Sequence, residues 1–497
     1  MNKSHPSFNK IGFIFFILCL GVMIIGCNVI SNIYPGDQPA SDPTSSEPII
    51  QETKELASLP TETQILEISP TSVPSQTPMV TETDLVTAPQ ETPDPTPEEI
   101  PADIAEQMDQ IERQVIGLRD LQPTGFVSRA LLTRDQLSQK IENEFFEDYS
   151  PEEAQDDTTV LTAFGLLDSG FDMFNFYQDL LSEQIAGRYD HEEKEMEVVQ
   201  GFGFGGTERL TYAHEYTHAL QDQTYDIENG LEWTTEACEE DSERCAAVQA
   251  LLEGDASMLE LDWFSNFATP QDVVDIQEFY QNYESPIYNS APDFLREDFI
   301  FPYIYGQTFV EHLHRQGGWD AVNAAYIDLP VSTEQILHPE RYPDDKPDNV
   351  SLPDLIPILG DDWRELDRGV MGEWYTFLIL AHGLYPETRL GELEAQTASD
   401  GWGGDAYVVY SDDQNNGIVL VMHTLWEGLN EASQFYNAFQ KHSISRFGAP
   451  STSGPNRVGW FHEGGYTELR MQDQYTTWIL SPDEGMAQLI WSNILEP

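Results

Sequence analysis

Across 497 residues the chain carries 87 Asp and Glu against 23 Lys and Arg, a formal net charge of −64. A field of that sign repels phosphate backbones and anionic lipid headgroups, which excludes nucleic acid as a partner. The acidic excess extends well past the N-terminal region and reads as a solvated surface rather than as a site for one particular partner.

Lys3 and Lys10 precede an apolar run from Ile11 to Ile25 that ends at Gly26-Cys27. Positive residues, a short apolar run and a small residue at the break read as a secretory signal. The run is shorter than the roughly 20 residues that span a bilayer comfortably. Ile24-Ile25-Gly26-Cys27 resembles the lipobox of bacterial lipoproteins. The resemblance implies that residues 1–26 are a signal peptide, and that lipid on Cys27 ties the protein to the cell membrane. An uncleaved membrane anchor is the alternative, and either reading sets the rest of the chain outside the cytoplasm.

From Asn28 to residue 99 the composition turns to Pro, Thr, Ser, Glu and Gln, as in Pro70-Thr71-Ser72-Val73-Pro74. Such a stretch cannot bury enough apolar surface to offset its ordering entropy, and its prolines stiffen the coil. Residues 27–100 are therefore expected to form a disordered stalk, followed by one domain over 101–348 and a second over 349–497.

The chain has four cysteines. With Cys19 in the signal and Cys27 as the lipidation site, Cys238 and Cys245 remain as a possible disulfide in an oxidising compartment, or as two free thiols. On one continuous helix they would lie roughly 10 Å apart, beyond bridging distance. A bridge requires Cys238 in a loop just before a helix.

In chain order, Ile104, Met108, Ile111 and Val115 recur at helical spacing. Thr133-Arg134-Asp135-Gln136 has capping-box form ahead of Leu137, Ile141 and Phe145. Residues 171–185 are helix-periodic, and Glu195 to Val198 alternates as a short strand. Glycines 201, 203, 205 and 206 mark a loop, with Thr207 as the cap of the next helix. Residues 246–267 and 303–316 read as two further long helices. Beyond residue 350, helices are expected over 372–382 and 430–440. Tyr407–Tyr410 and Ile418–Met422 flank an Asn416-Gly417 turn as a hairpin, and strands follow near 460–469 and 476–480. The expected class is α+β: a mainly helical core with a short edge sheet, then a small antiparallel α+β unit.

The chemistry concentrates in His214-Glu215-Tyr216-Thr217-His218. Positions i and i+4 share a helix face, so His214 and His218 can present two imidazoles to one ion. Zn2+ needs a third protein ligand and keeps a fourth position open for water, whose proton Glu215 is placed to take and pass to a leaving amine. Glu253 is the third ligand of choice, because it stands in an otherwise apolar helix among small residues, and a buried unpaired carboxylate would be costly without a metal. Asp222 lies on the same face as His218 and suits an outer or capping role. Glu260 is placed to support a ligand imidazole, and Asp255, pointing away from Glu253, is expected in solvent.

Two histidines on one helix and a Glu on a following helix resemble the gluzincin arrangement of thermolysin-like and aminopeptidase-N-like metallopeptidases, over residues 189–342. The resemblance implies a zincin-like core and cleavage of a peptide or protein substrate. It also implies a substrate-pairing edge strand near Met196–Val199 and a donor to the oxyanion. Tyr303, in Tyr303-Ile304-Tyr305-Gly306, matches the aminopeptidase-type tyrosine, with Tyr305 and His338 as alternatives. The chain departs from the aminopeptidases in lacking a Gly-x-Met-Glu-Asn segment, which puts N-terminal trimming in doubt. His312 and His314 fall on opposite helix sides and are expected to be surface or core residues. A non-catalytic surface lipoprotein keeping a zinc-binding core is the competing reading, and Glu215 separates the two because a binding module has no need of it.

Overall fold

A computed structural model describes residues 100–184, 187–199 and 203–494. Residues 1–99, on which the expected signal peptide, the lipidation of Cys27 and most of the expected stalk fall, lie outside the described residues. No described helix is long and apolar enough to cross a membrane.

Local chemistry sets the first helices. Helix α1 (Ala102–Arg119) buries Ile104, Met108, Ile111 and Val115 along one face. Helix α2 (Arg134–Asp148) begins with the reciprocal cap: Gln136 N donates to Thr133 Oγ1 at 3.2 Å, and Thr133 N to Gln136 Oε1 at 2.8 Å. The same device at Ser150 and Glu153 starts α3 (Pro151–Phe164), and α4 (Met173–Gln184) follows.

Strands β1 (Ser128–Leu132), β2 (Gly187–Asp190) and β3 (Glu195–Val199) form a sheet in the order β1-β3-β2. Strand β3 pairs parallel with β1 and antiparallel with β2. This corrects the expected substrate strand, because the backbone of Met196–Val199 is already paired on one or both sides by its neighbours. The outer strands of this sheet are β1 and β2.

Helix α5 (Gly206–Tyr225) is capped at Gly205 rather than at Thr207, with Gly205 N donating to Glu208 Oε2 at 3.1 Å. Helices α6 (Thr235–Glu240) and α7 (Ser242–Phe267) are separated by Asp241, whose φ of −145° and ψ of 81° interrupt the helix. That break brings the Cα atoms of Cys238 and Cys245 to 5.3 Å, and the two are joined by a disulfide. Cys238 thus sits in a short helix of its own, not in a loop. Helix α8 (Pro270–Asn282) lies directly on the start of α5, where a Cβ on Gly206 would fall 2.4 Å from Asp272 O.

Helix α9 (Asp293–Gly317) begins well before Tyr303 and accommodates Pro302 within it. It crosses α7 at two glycines: a Cβ on Gly254 would lie 2.1 Å from Gly306 C, and one on Gly306 2.1 Å from Ala250 O. The short α10 (Thr333–Leu337) follows.

The C-terminal part is a seven-stranded antiparallel sheet in the order β4-β5-β6-β10-β9-β8-β7. Its strands are β4 (Arg364–Gly369), β5 (Trp402–Asp412), β6 (Gly417–Trp426), β7 (Thr452–Gly454), β8 (Arg457–His462), β9 (Gly465–Gln472) and β10 (Tyr475–Ser481). The single strand expected near 460–469 is a hairpin, β8 and β9 turning at Glu463-Gly464. Helices α11 (Gly372–Ala381), α12 (Glu392–Ser399), α13 (Leu429–Phe447) and α14 (Glu484–Ile494) complete this α+β fold. Val248, Trp374, Tyr407 and Trp478 belong to one continuous hydrophobic core.

Candidate metal centre

Helix α5 carries His214, Glu215 and His218, and α7 carries Glu253; all four are buried. One helical turn separates the histidines, and the Gly254–Gly306 crossing lies next to Glu253. His214 Nε2 lies 3.2 Å from His218 Nε2 and 3.2 Å from Glu253 Oε2, and His218 Nε2 lies 3.4 Å from the same oxygen. Three ligand atoms so close cannot all be satisfied by one shared proton. A tetrahedral ion with ligand bonds of roughly 2.0–2.1 Å sets its ligand atoms about 3.4 Å apart, the size of this triangle.

The outer atoms aim the rings inward. His214 Nδ1 lies 3.1 Å from Glu260 Oε2, an arrangement in which Nδ1–H donates and Nε2 keeps its lone pair. His218 Nδ1 is likewise 2.8 Å from Gln221 Oε1. Gln221 is fixed in turn, its Nε2 donating to Leu252 O at 3.0 Å and to Asp255 Oδ2 at 3.2 Å. Asp255 is not in solvent as expected. It is fully buried, ion-paired to Arg119 and hydrogen-bonded by the Tyr326 hydroxyl at 2.8 Å. Asp222 accepts from the Tyr189 hydroxyl, Lys194 Nζ and Ile227 N, which ties the end of α5 to the small sheet.

Glu215 Oε2 accepts from Tyr189 N at 2.8 Å, while Oε1 is buried without a hydrogen-bond partner. Burial pushes the Glu215 carboxyl above its usual range, against the pull of His214 and His218. Burial alone would lower His214, but its bonds to Glu253 and Glu260 outweigh that and hold it well above the usual imidazole range. Burial would also raise Glu253, yet His218 and His214 bring it down to about 2. Glu253 and Glu260 thus favour positive charge on the rings they face, the same sign that a bound cation would bring to the centre.

Of the three oxyanion candidates, Tyr303 is the one beside the cluster, its buried ring 6.5 Å from that of His214. Tyr305 packs on Trp374, and His338 Nε2 lies 3.0 Å from Glu373 Oε1. His314 packs on Trp319, and His312 reaches Gln316 on the exposed face of α9. Two supporting residues were not singled out in the sequence. Gln221, three residues after His218, was within reach of helical spacing, whereas Tyr189 is brought to Glu215 only by tertiary folding.

A family model described as a domain of unknown function (DUF8575) matches residues 361–490. That span covers the C-terminal sheet and leaves the histidine cluster outside it. No curated protein and no solved structure matches the chain.

Proposed function

We propose that the protein is a zinc-dependent peptidase with a gluzincin-like, zincin-type core, held outside the cytoplasm by lipid on Cys27. The observation that carries this reading is the triangle of His214 Nε2, His218 Nε2 and Glu253 Oε2, with the unpartnered Glu215 Oε1 beside it. These residues fit Zn2+: two neutral imidazoles and one carboxylate are its usual protein donors, and each imidazole has an outer partner. Zinc held there supplies Lewis acidity that makes water nucleophilic near neutral pH.

The chain's own groups do the rest. Glu215 Oε2 is pinned by Tyr189 N, so Oε1 is held in place to accept the proton of the attacking water. The raised carboxyl then suits proton return to the leaving amine. Tyr303, whose ring lies 6.5 Å from that of His214, contributes its phenol to the developing oxyanion. With β3 paired within its sheet, the extended substrate has β2 as its edge, the strand whose Tyr189 holds Glu215.

The test measures zinc content and cleavage of a mixed peptide library by the full chain in detergent. Glu215→Gln should keep its zinc and lose cleavage by about 10²–10⁴-fold. His218→Ala should lose one equivalent of zinc together with the activity. Equal cleavage by native protein and Glu215→Gln, or a native protein whose zinc content His218→Ala leaves unchanged, refutes the mechanism. Native protein that binds zinc at His218 and cleaves nothing points instead to a binding lipoprotein.

A further inference from the structure

Helix α9 has a second chemically distinctive face. Tyr303 and Tyr305 are two residues apart, so they project to opposite sides. Tyr303 borders His214, while Tyr305 lines a cavity of about 340 Å³ together with Trp374, Phe377 and Leu393. Three ligand-type side chains from three different helical segments open onto that cavity: His338 at the end of α10, Glu373 in the first turn of α11, and Asp400 just after α12.

His338 Nε2 lies 3.0 Å from Glu373 Oε1 and 3.9 Å from Asp400 Oδ1, and one donor atom from each residue lies within 4.8 Å of the others. The spacing brackets the 3.2–3.4 Å of the His214 triangle. Glu373 is only 3% exposed, and its Oε2 is buried without a hydrogen-bond partner. An ionised oxygen in that position is costly unless a cation or donor meets it. Glu334, Asp345 and Glu427 form a second acidic group nearby. Arg341 is shared between them, donating to Glu334 Oε1 and to Asp400 Oδ1, the oxygen that lies 3.9 Å from His338 Nε2.

We propose that His338, Glu373 and Asp400 form a second divalent-cation site, open to the Tyr305–Trp374 cavity and independent of the His214 cluster. An imidazole nitrogen with two carboxylates selects a borderline ion of the zinc class over calcium or magnesium, which prefer oxygen alone. The cavity leaves room for a further ligand to the cation.

Zinc stoichiometry of the full chain in detergent, by equilibrium dialysis near neutral pH, decides the matter. Native protein should hold two equivalents. His218→Ala, His338→Ala and Asp400→Asn should each hold one, and His218→Ala/His338→Ala none. Asp400 is half-exposed, so Asp400→Asn serves as the variant least exposed to misfolding, with near-UV circular dichroism as the check. If His338→Ala and Asp400→Asn bind as many equivalents as the native chain, the proposal is overturned and the cluster is an ordinary ion pair. If the His214 site binds no metal, native protein holds one equivalent that His338→Ala removes, and the second site stands without the first.

Discussion

Arg119 at the end of α1 and Asp255 on α7 form an ion pair shut off from water, with Nε 2.8 Å from Oδ1 and both side chains 0% exposed. Asp255 also fixes Gln221, which orients His218, so the pair links the fold to the candidate metal centre. Arg119 stacks 4.3 Å over Trp319 as well. Arg119→Met would leave a buried carboxylate without its cation, at a cost of about 3–5 kcal/mol. The double variant Arg119→Met/Asp255→Leu removes both charges and should recover most of that loss. Urea unfolding of the three chains checks this, and a double variant no more stable than Arg119→Met contradicts it.

The α7–α9 crossing gives a second test. Gly306→Ala drives a methyl to 2.1 Å from Ala250 O, so the helices must separate. A destabilisation of about 1–3 kcal/mol is expected from such overpacking. Zinc affinity should fall too, because Ala250 and Gly254 flank Glu253. Gly117→Ala is the control: nothing lies within 4 Å of its Cβ, and alanine in a helix should stabilise by up to about 1 kcal/mol. Thermal melts and zinc titrations of both variants separate packing from composition.

What the sequence made legible was local. The Thr133 cap and the helical stripe from Ile104 to Val115 depend on near neighbours and stand where expected, and the β5–β6 hairpin is present, although it turns over residues 413–416 with Gly417 already paired to Asp412 rather than at Asn416-Gly417. Asp255 was misread because a residue two positions from a buried one usually faces solvent on a two-sided helix. Helix α7 has no solvent face there, since α1, α5 and α9 all contact it. The role of β3 was misread for a related reason: its parallel partner Ser128–Leu132 lies far off in sequence, and no local pattern announces that pairing. The start of α9 was missed because Pro302 reads as a boundary. The trio His338, Glu373 and Asp400 is dispersed over three helical segments and has no spacing to detect.

Glu243 makes folding stability fall as pH rises from about 4.5 to 8. Burial raises its carboxyl to about 8 from an ordinary 4.5, although Thr333 N and Oγ1 both donate to its Oε1. Below pH 4.5 both folded and unfolded chains hold the proton, so the group costs nothing. Between about 4.5 and 8 the unfolded chain releases it while the folded chain keeps it, which disfavours folding by up to about 1.4 kcal/mol per pH unit. Above 8 the penalty is constant. Glu243→Gln keeps the acceptor oxygen for Thr333 and should flatten the decline of unfolding free energy in that window. Parallel pH profiles for the two chains would count against this account.

Glu260 tests whether the outer partner of His214 tunes the metal. Its Oε2 takes the Nδ1 proton, which leaves Nε2 directed at Glu253 and His218. Glu260→Gln retains an acceptor for that proton, whereas Glu260→Ala frees the ring to turn or to change tautomer. The alanine variant should bind zinc about 10–100-fold more weakly, and the glutamine variant should lie between it and the native chain. Competition with a chelator of known affinity measures this. It is best done in the His338→Ala background, so that a zinc at the second cluster does not mask the change. Native-like affinity in Glu260→Ala would mean that packing around α5, not the Glu260 hydrogen bond, holds His214 in place.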